Sequence, residues 1–436
     1  MIKMRNSIKY FGIALMMAAG FQVQAQDTEV HAEEGKTIWD RDLPNFRAPD
    51  QRGINDFEAK KETDTEFDGV QVRVGGASTI QFQSLDHESD AAELQNLEGN
   101  FNLATANLDL DVLLYDGVRM HLRTYLSSQN HEDTWVKGGY IQIDKLDFIS
   151  EGFAEGLMDH MRIKIGHMEN NYGDAHFRRT DNAQAMYNPF VGNYLMDSFT
   201  TEVGAEVYMF NGPWLGMVGF TNGKLNQSTA GDGETDPSFL AKLGYDNQFN
   251  EDFRFRLTGS LLYSGKNYGR GNYLYTGDRA GTRYYNVMTD VDGNGPGFRA
   301  GRINPSFKNE MTSVMINPFI KYGGLEFFGI IETISGQDAN DTDSRTYNHL
   351  AGELLYRFGA TEDFYLGARY STVDGELDSS TDISVNRFQL GAGWFLTKNI
   401  LAKLEYVNQE YNDYPVGDIN NGGQFNGITL EAAISF

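Results

Sequence analysis

From Gly69 onward the sequence keeps returning to a period of two. Val70, Val72 and Val74 alternate with Gln71 and Arg73. Ala104, Ala106, Leu108, Leu110, Val112 and Leu114 alternate with Thr105, Asn107, Asp109 and Asp111. Successive side chains of a strand point to opposite faces, so each stretch reads as a strand with one apolar and one polar face. The final residues repeat the pattern: Ile428, Leu430, Ala432, Ile434 and Phe436 against Thr429, Glu431, Ala433 and Ser435. Such a strand at a sheet edge invites aggregation, and pairing the last strand with the first removes the edge.

Beyond the N-terminus no run approaches the ~20 apolar residues of a spanning helix. Mean hydropathy is −0.47. A membrane protein of this composition must be a barrel, because barrel strands alternate and do not look hydrophobic on average. Gly (48), Phe (29) and Tyr (23) outnumber Pro (9), which suits many short strands with aromatic girdles. The terminal strand resembles the closing strand of bacterial outer-membrane barrels, whose final aromatic belongs to the assembly signal. The formal charge of −25 argues against nucleic acid as a partner. Cysteine is absent, so there is no disulfide framework and no thiolate metal site.

Residues 1–25 read as a secretory signal peptide. Lys3, Arg5 and Lys9 form the basic region, Phe11 to Phe21 the apolar core, and Val23-Gln24-Ala25 the cleavage site. Residues 26–67 are acidic and aperiodic, an irregular arm lying in the periplasm or partly inside the lumen. Residues 68–436 are expected to form a closed antiparallel all-β transmembrane barrel of about sixteen strands. Asp116-Gly117, Asn211-Gly212 and Gly323-Gly324 are tight-turn signals. Connections after even strands read as mostly short (116–117, 247–251, 397–398). Those after odd strands read as mostly long (85–99, 169–200, 265–310, 409–424). Such segregation is the outer-membrane pattern, with long loops outside. An even count puts both termini in the periplasm of a Gram-negative cell, in contact with membrane lipid and lipopolysaccharide.

The third outside connection, 169–200, is rich in aromatics and charge. Folded inward, it would narrow the pore. Tyr172, Asp174, His176, Arg178, Arg179 and Asp181 are the constriction candidates, acting as an electrostatic filter. A loop merely packed on its outside neighbours is the alternative. Alternation puts Arg119, Arg123, Arg162, Lys164, Arg254 and Arg256, with Glu202 and Glu206, on the lumen wall. Inward basic candidates outnumber acidic ones, which suggests a wide pore with weak anion preference. Asp290, Asp292 and Asn294 match half of a calcium loop, but Gly301 stands where a bidentate Glu is expected. An Asp/Gly-rich turn is the plainer reading. No catalytic motif is present, so no enzyme and no other cofactor is expected.

Ile163-Lys164-Ile165-Gly166-His167-Met168, followed by Asn171-Tyr172-Gly173-Asp174-Ala175-His176-Phe177-Arg178-Arg179, resembles a porin family common in Bacteroidetes. Pro44-Asn45-Phe46-Arg47 and Asp50-Gln51-Arg52-Gly53 fit it too. That family is broadly similar to the phosphate-selective porin O and P group. The resemblance implies a general or small-anion diffusion channel, assembled as a trimer. Phosphate selectivity is not carried over, because Arg178 and Arg179 face Asp174, Asp181 and Asp197 rather than extending a basic ladder. Two other functions remain open: an oligosaccharide-specific channel lined by Tyr172, Phe177 and Tyr187, and a plugged barrel whose arm binds another protein.

Overall fold

The computed structural model describes residues 42–65, 67–126, 133–180, 184–223, 235–265, 274–276, 281–338, 341–378 and 380–436. Sixteen antiparallel strands close into one barrel, in chain order around the ring, with the last beside the first. They are β1 (Gln71–Glu88), β2 (Asn100–Tyr115), β3 (Val118–Leu126), β4 (Trp135–Ile143), β5 (Met161–Glu169), β6 (Thr201–Asn211), β7 (Trp214–Thr221) and β8 (Ser238–Gln248). The ring continues with β9 (Phe253–Ser264), β10 (Met311–Tyr322), β11 (Leu325–Gly336), β12 (Arg345–Phe358), β13 (Phe364–Asp378), β14 (Thr381–Thr397), β15 (Ile400–Asn412) and β16 (Gln424–Ser435). Closure satisfies the backbone groups that an open edge would leave bare to lipid.

The two-residue period decides the facing. Val74, Leu108, Val218, Leu243, Ile331 and Leu390 stand exposed on the outside, the apolar surface a bilayer core requires. Their neighbours Arg73, Asp109, Glu332 and Gln389 are buried inside. The inside is packed. One buried apolar cluster joins Phe57, Tyr172, Leu195, Tyr284 and Phe307 to the wall residues Phe319, Phe328 and Val407. This is not the wide pore expected from the wall alone. The arm and two long loops occupy much of the interior.

Four local features depart from the simple pattern. Ala104, expected outward, is fully buried. The β1–β2 register slips between Thr79 and Ile80, whose partners are Thr105 and Leu103, so Ala104 is the extra residue of a bulge. The β13–β14 link, after an odd strand, is only 379–380, because β13 extends to Asp378 and β14 begins at Thr381. The β4–β5 connection, on the side of the short turns, is instead long. It contains the single-turn helix α1 (Glu155–Met158). Pro318 in β10 has no N–H to give the ladder. The neighbouring Asn317 amide substitutes, donating to Gly329 O at 3.0 Å.

Candidate functional site

The arm enters the lumen at the short-turn end. Pro44 and Pro49 forbid a regular helix, and Asn45 and Asn55 take positive φ, so the segment winds irregularly. Wall groups satisfy it. Gln51 N donates to Lys398 O at 2.9 Å in the β14–β15 turn. Arg162 donates to Asn45 Oδ1 (3.0 Å), Ala59 O (2.7 Å) and Lys60 O (3.0 Å). Lys61 pairs with Asp144 at 3.1 Å. Thr65 donates to Asp116 at 2.8 Å, in the β2–β3 turn. The segment therefore crosses the lumen from one side of the ring to the other.

The loop after β5, residues 170–200, folds inward, and its described residues are nearly all buried. Its charges do not stand free toward an open axis, as a filter would need. Arg178 pairs with Glu353 on β12 at 3.1 Å and donates to Asn55 of the arm at 2.5 Å. Arg179 forks onto Asp197 of its own loop, at 2.8 and 2.5 Å. Tyr172 donates to Glu332 at 3.0 Å. His176 sits 2.6 Å from Glu169 and 3.0 Å from Asn171. Asp181 lies outside the described residues. The wall reaches back to the loop: Lys403 donates to three loop carbonyls, and Glu405 accepts from Val191 N at 2.8 Å.

One four-charge latch ties arm, loop and wall together. Lys242 on β8 contacts Glu58 at 2.8 Å and Asp174 at 2.7 Å. Arg256 on β9 contacts the same two carboxylates at 2.7 and 2.8 Å. Burial works to raise the Glu58 and Asp174 pKa values. The two cations outweigh it, holding Glu58 well below the usual carboxylate range and Asp174 below its own. Asn317 adds a fifth anchor, accepting from Asp174 N at 2.8 Å.

The expected wall residues face inward, and most are committed to a partner. Arg123 forks onto Asp109 at 2.7 and 2.6 Å. Arg119 pairs with Asp111 at 3.0 Å, Arg162 with Asp144 at 2.8 Å and Arg254 with Asp246 at 2.7 Å. Glu202 accepts from Asn170 at 3.0 Å. Glu206 accepts from Asn171 N at 2.9 Å and from Tyr208 at 2.5 Å.

Beside β1–β6 the packing leaves a cavity of about 170 Å³. Its lining includes Arg47 and Phe46 from the arm, Arg123 and Lys164 from the wall, and His176 and Phe177 from the loop. Gly138 lines it without a side chain to fill it. The carboxylates in the lining are engaged: Asp109 with Arg123, Glu169 with His176, Glu58 with the latch. Lys164 is different. Its ammonium lies 5.4 Å from the Tyr140 ring centroid and 5.3 Å from that of Tyr208, and makes no ion pair with a described residue. Arg47 stacks on Tyr187 at 3.6 Å, and its Nη2 is buried without a hydrogen-bond partner. Burial lowers the Arg47 pKa, and Tyr187 and Asp56 offset only part of this. Cation–π contacts contribute about 0.5–2 kcal/mol each, less than a lost carboxylate partner. Phe46 lies between Arg73 (5.1 Å) and Arg119 (5.0 Å).

Sequence reasoning did not place Arg47, Phe46, Tyr140 or Tyr208 at the site; Phe46 and Arg47 entered only through the resemblance. Tyr208 sat on the polar parity of β6 and could have been found. Arg47 sits in an aperiodic arm, where no pattern says what a side chain will meet.

In the calcium candidate, Asp290 is bound by its own turn. Asn294 N donates to it at 2.7 Å and Asn294 Nδ2 at 3.0 Å. No group of three or more metal-ligating side chains occurs among the described residues. The geometry is that of a turn.

No protein-family model and no curated protein matches the chain. Among solved structures it is similar in fold to the anion-selective porin from Comamonas acidovorans, with 11% identity over 84% of this chain and 100% of that one, TM-score 0.55. OmpT, an outer membrane protein of Vibrio cholerae, is similar at 10% identity over 85% of this chain and 99% of that one, TM-score 0.52. OprB of Pseudomonas putida is similar at 11% over 84% and 94%, TM-score 0.52. At such identities the likeness is one of fold: this chain shares a closed β-barrel with these outer-membrane proteins.

Proposed function

We propose that the chain is a bacterial outer-membrane porin, passing small hydrophilic solutes or ions by diffusion, with weak preference for anions. One observation carries this reading. On the β1–β6 side the lumen keeps a cavity whose carboxylates are engaged while the cations Arg47 and Lys164 form no ion pair with a described residue. A solute there meets net positive potential, although the chain as a whole carries −25. The porin-type fold supports the assignment, and the chain is taken to act without catalysis. Both termini are assigned to the periplasm, the barrel to a trimer in contact with lipid and lipopolysaccharide. Kinship with the Bacteroidetes porins and the O and P group rests on residues 163–179 and belongs to the same proposal.

The cavity is close in volume to one of 150 Å³ that takes up benzene. That argues against an oligosaccharide as the solute. The test is a reversal potential across a planar bilayer with a salt gradient. Modest anion preference is expected, and cation preference would discard the reading. The arm's many anchors favour a second reading, a plugged barrel. Absence of conductance in the full mature chain, restored when residues 42–65 are deleted, would select it.

A further inference from the structure

The wall of this barrel pairs its charges by register. Arg73 opposes Asp111, Arg123 opposes Asp109, Arg369 opposes Glu353 and Lys403 opposes Glu431 across neighbouring strands, and each forms the ion pair that its position offers. Lys164 opposes Glu206 in the same way, between β5 and β6. Here the pair does not form. Glu206 turns to the backbone of Asn171 and to Tyr208, fastening the third loop. Lys164 is left against two tyrosine rings, facing the cavity.

A second cation faces the same cavity from a different part of the chain. Arg47 spends Nε on Gly53 O (2.9 Å) and Nη1 on Phe177 O (3.1 Å), both neutral carbonyls. Its Nη2 has no hydrogen-bond partner. Two cations beside one cavity that form no ion pair with a described residue are costly as they stand. An anion entering from solution would offset that cost for both.

We propose that Arg47 of the N-terminal arm and Lys164 of β5 form one seat for a small oxyanion or carboxylate, which makes the arm half of the selectivity filter. The inference rests on the porin reading above and adds the residues and the ligand class. The cavity of about 170 Å³ admits an anion of phosphate or acetate size and little more. Arg suits the task because Nη2 keeps its N–H donors, and the guanidinium its charge, after Nε and Nη1 have gone to carbonyls. The tyrosines hold both cations in place without neutralising them.

The experiment is chloride current through the full mature chain in a planar bilayer, titrated with inorganic phosphate and, separately, with acetate. Saturable block is expected. Arg47→Ala and Lys164→Gln should each raise the half-blocking concentration about tenfold, the effect of one lost charge-assisted hydrogen bond. Arg47→Lys, which keeps the charge, should retain part of the block. Lys164→Gln changes only a wall side chain, so it tests the seat even if Arg47→Ala disturbs the arm. Anion preference without saturable block, or block unchanged in both variants, overturns the seat and leaves the porin reading standing. A chain that prefers cations or conducts nothing overturns both.

Discussion

Two sectors of one lumen are made from the same kinds of inward side chain and end in different states. On the side of β8–β16, Lys242, Arg256, Arg369 and Lys403 are each joined to carboxylates or loop carbonyls, and the interior is packed. On the side of β1–β6 the wall is equally charged, yet a cavity remains and Lys164 stays unpaired among described residues. Where the loop and arm supply partners, charge becomes structure. Where they take a partner away, as with Glu206, charge is left for a solute.

The largest expected effect falls in the packed sector. Glu353→Ala strands Arg178 and Arg369, two buried cations, and should cost about 3–5 kcal/mol. Denaturant unfolding in detergent reads this, and a loss under about 1 kcal/mol would mean the sector is not held by its charges. Next is the latch. Glu58 and Asp174 have depressed pKa values in the folded state, so their contribution is present above the unfolded values of about 4 and is lost only as pH falls through the lower folded ones. Conductance should therefore hold steady from pH 8 to about 5 and change only in stronger acid. A transition centred above the ordinary Glu value of 4.5 would break the latch argument.

The cavity sector should respond in function rather than stability. At Gly138 a Cβ would meet His121 at 3.4 Å and Arg123 Cβ at 3.6 Å, both ordinary contacts, so Gly138→Leu should fold and lower single-channel conductance by filling the cavity. Unchanged conductance would mean that ions pass elsewhere. Smallest is the stability effect of Lys164→Gln, expected within about 1 kcal/mol, because no ion pair is lost and relief of a cation without a counter-ion offsets the two ring contacts. A loss as large as that of Glu353→Ala would erase the distinction between the two sectors.

The sequence by itself determined the strands, their facing and the closure of β16 on β1. Those follow from a period of two, which is a property of neighbouring residues. It also made some wall pairs legible. The Asp116-Gly117 turn sets β2 against β3, and Asp109 then faces Arg123. The bulge at Ala104 was not legible, because an extra residue leaves no mark in the local alternation. Nor was the fate of Asp174, His176, Arg178 and Arg179, read as filter charges and found in pairs. Only the tertiary structure decided which inward charges are spent. Glu58 meets Arg256, and Arg178 meets Glu353, across the lumen and far apart in sequence. The reason is that facing is fixed by the backbone one residue at a time, whereas a buried charge is settled by whatever the folded chain brings within reach of it.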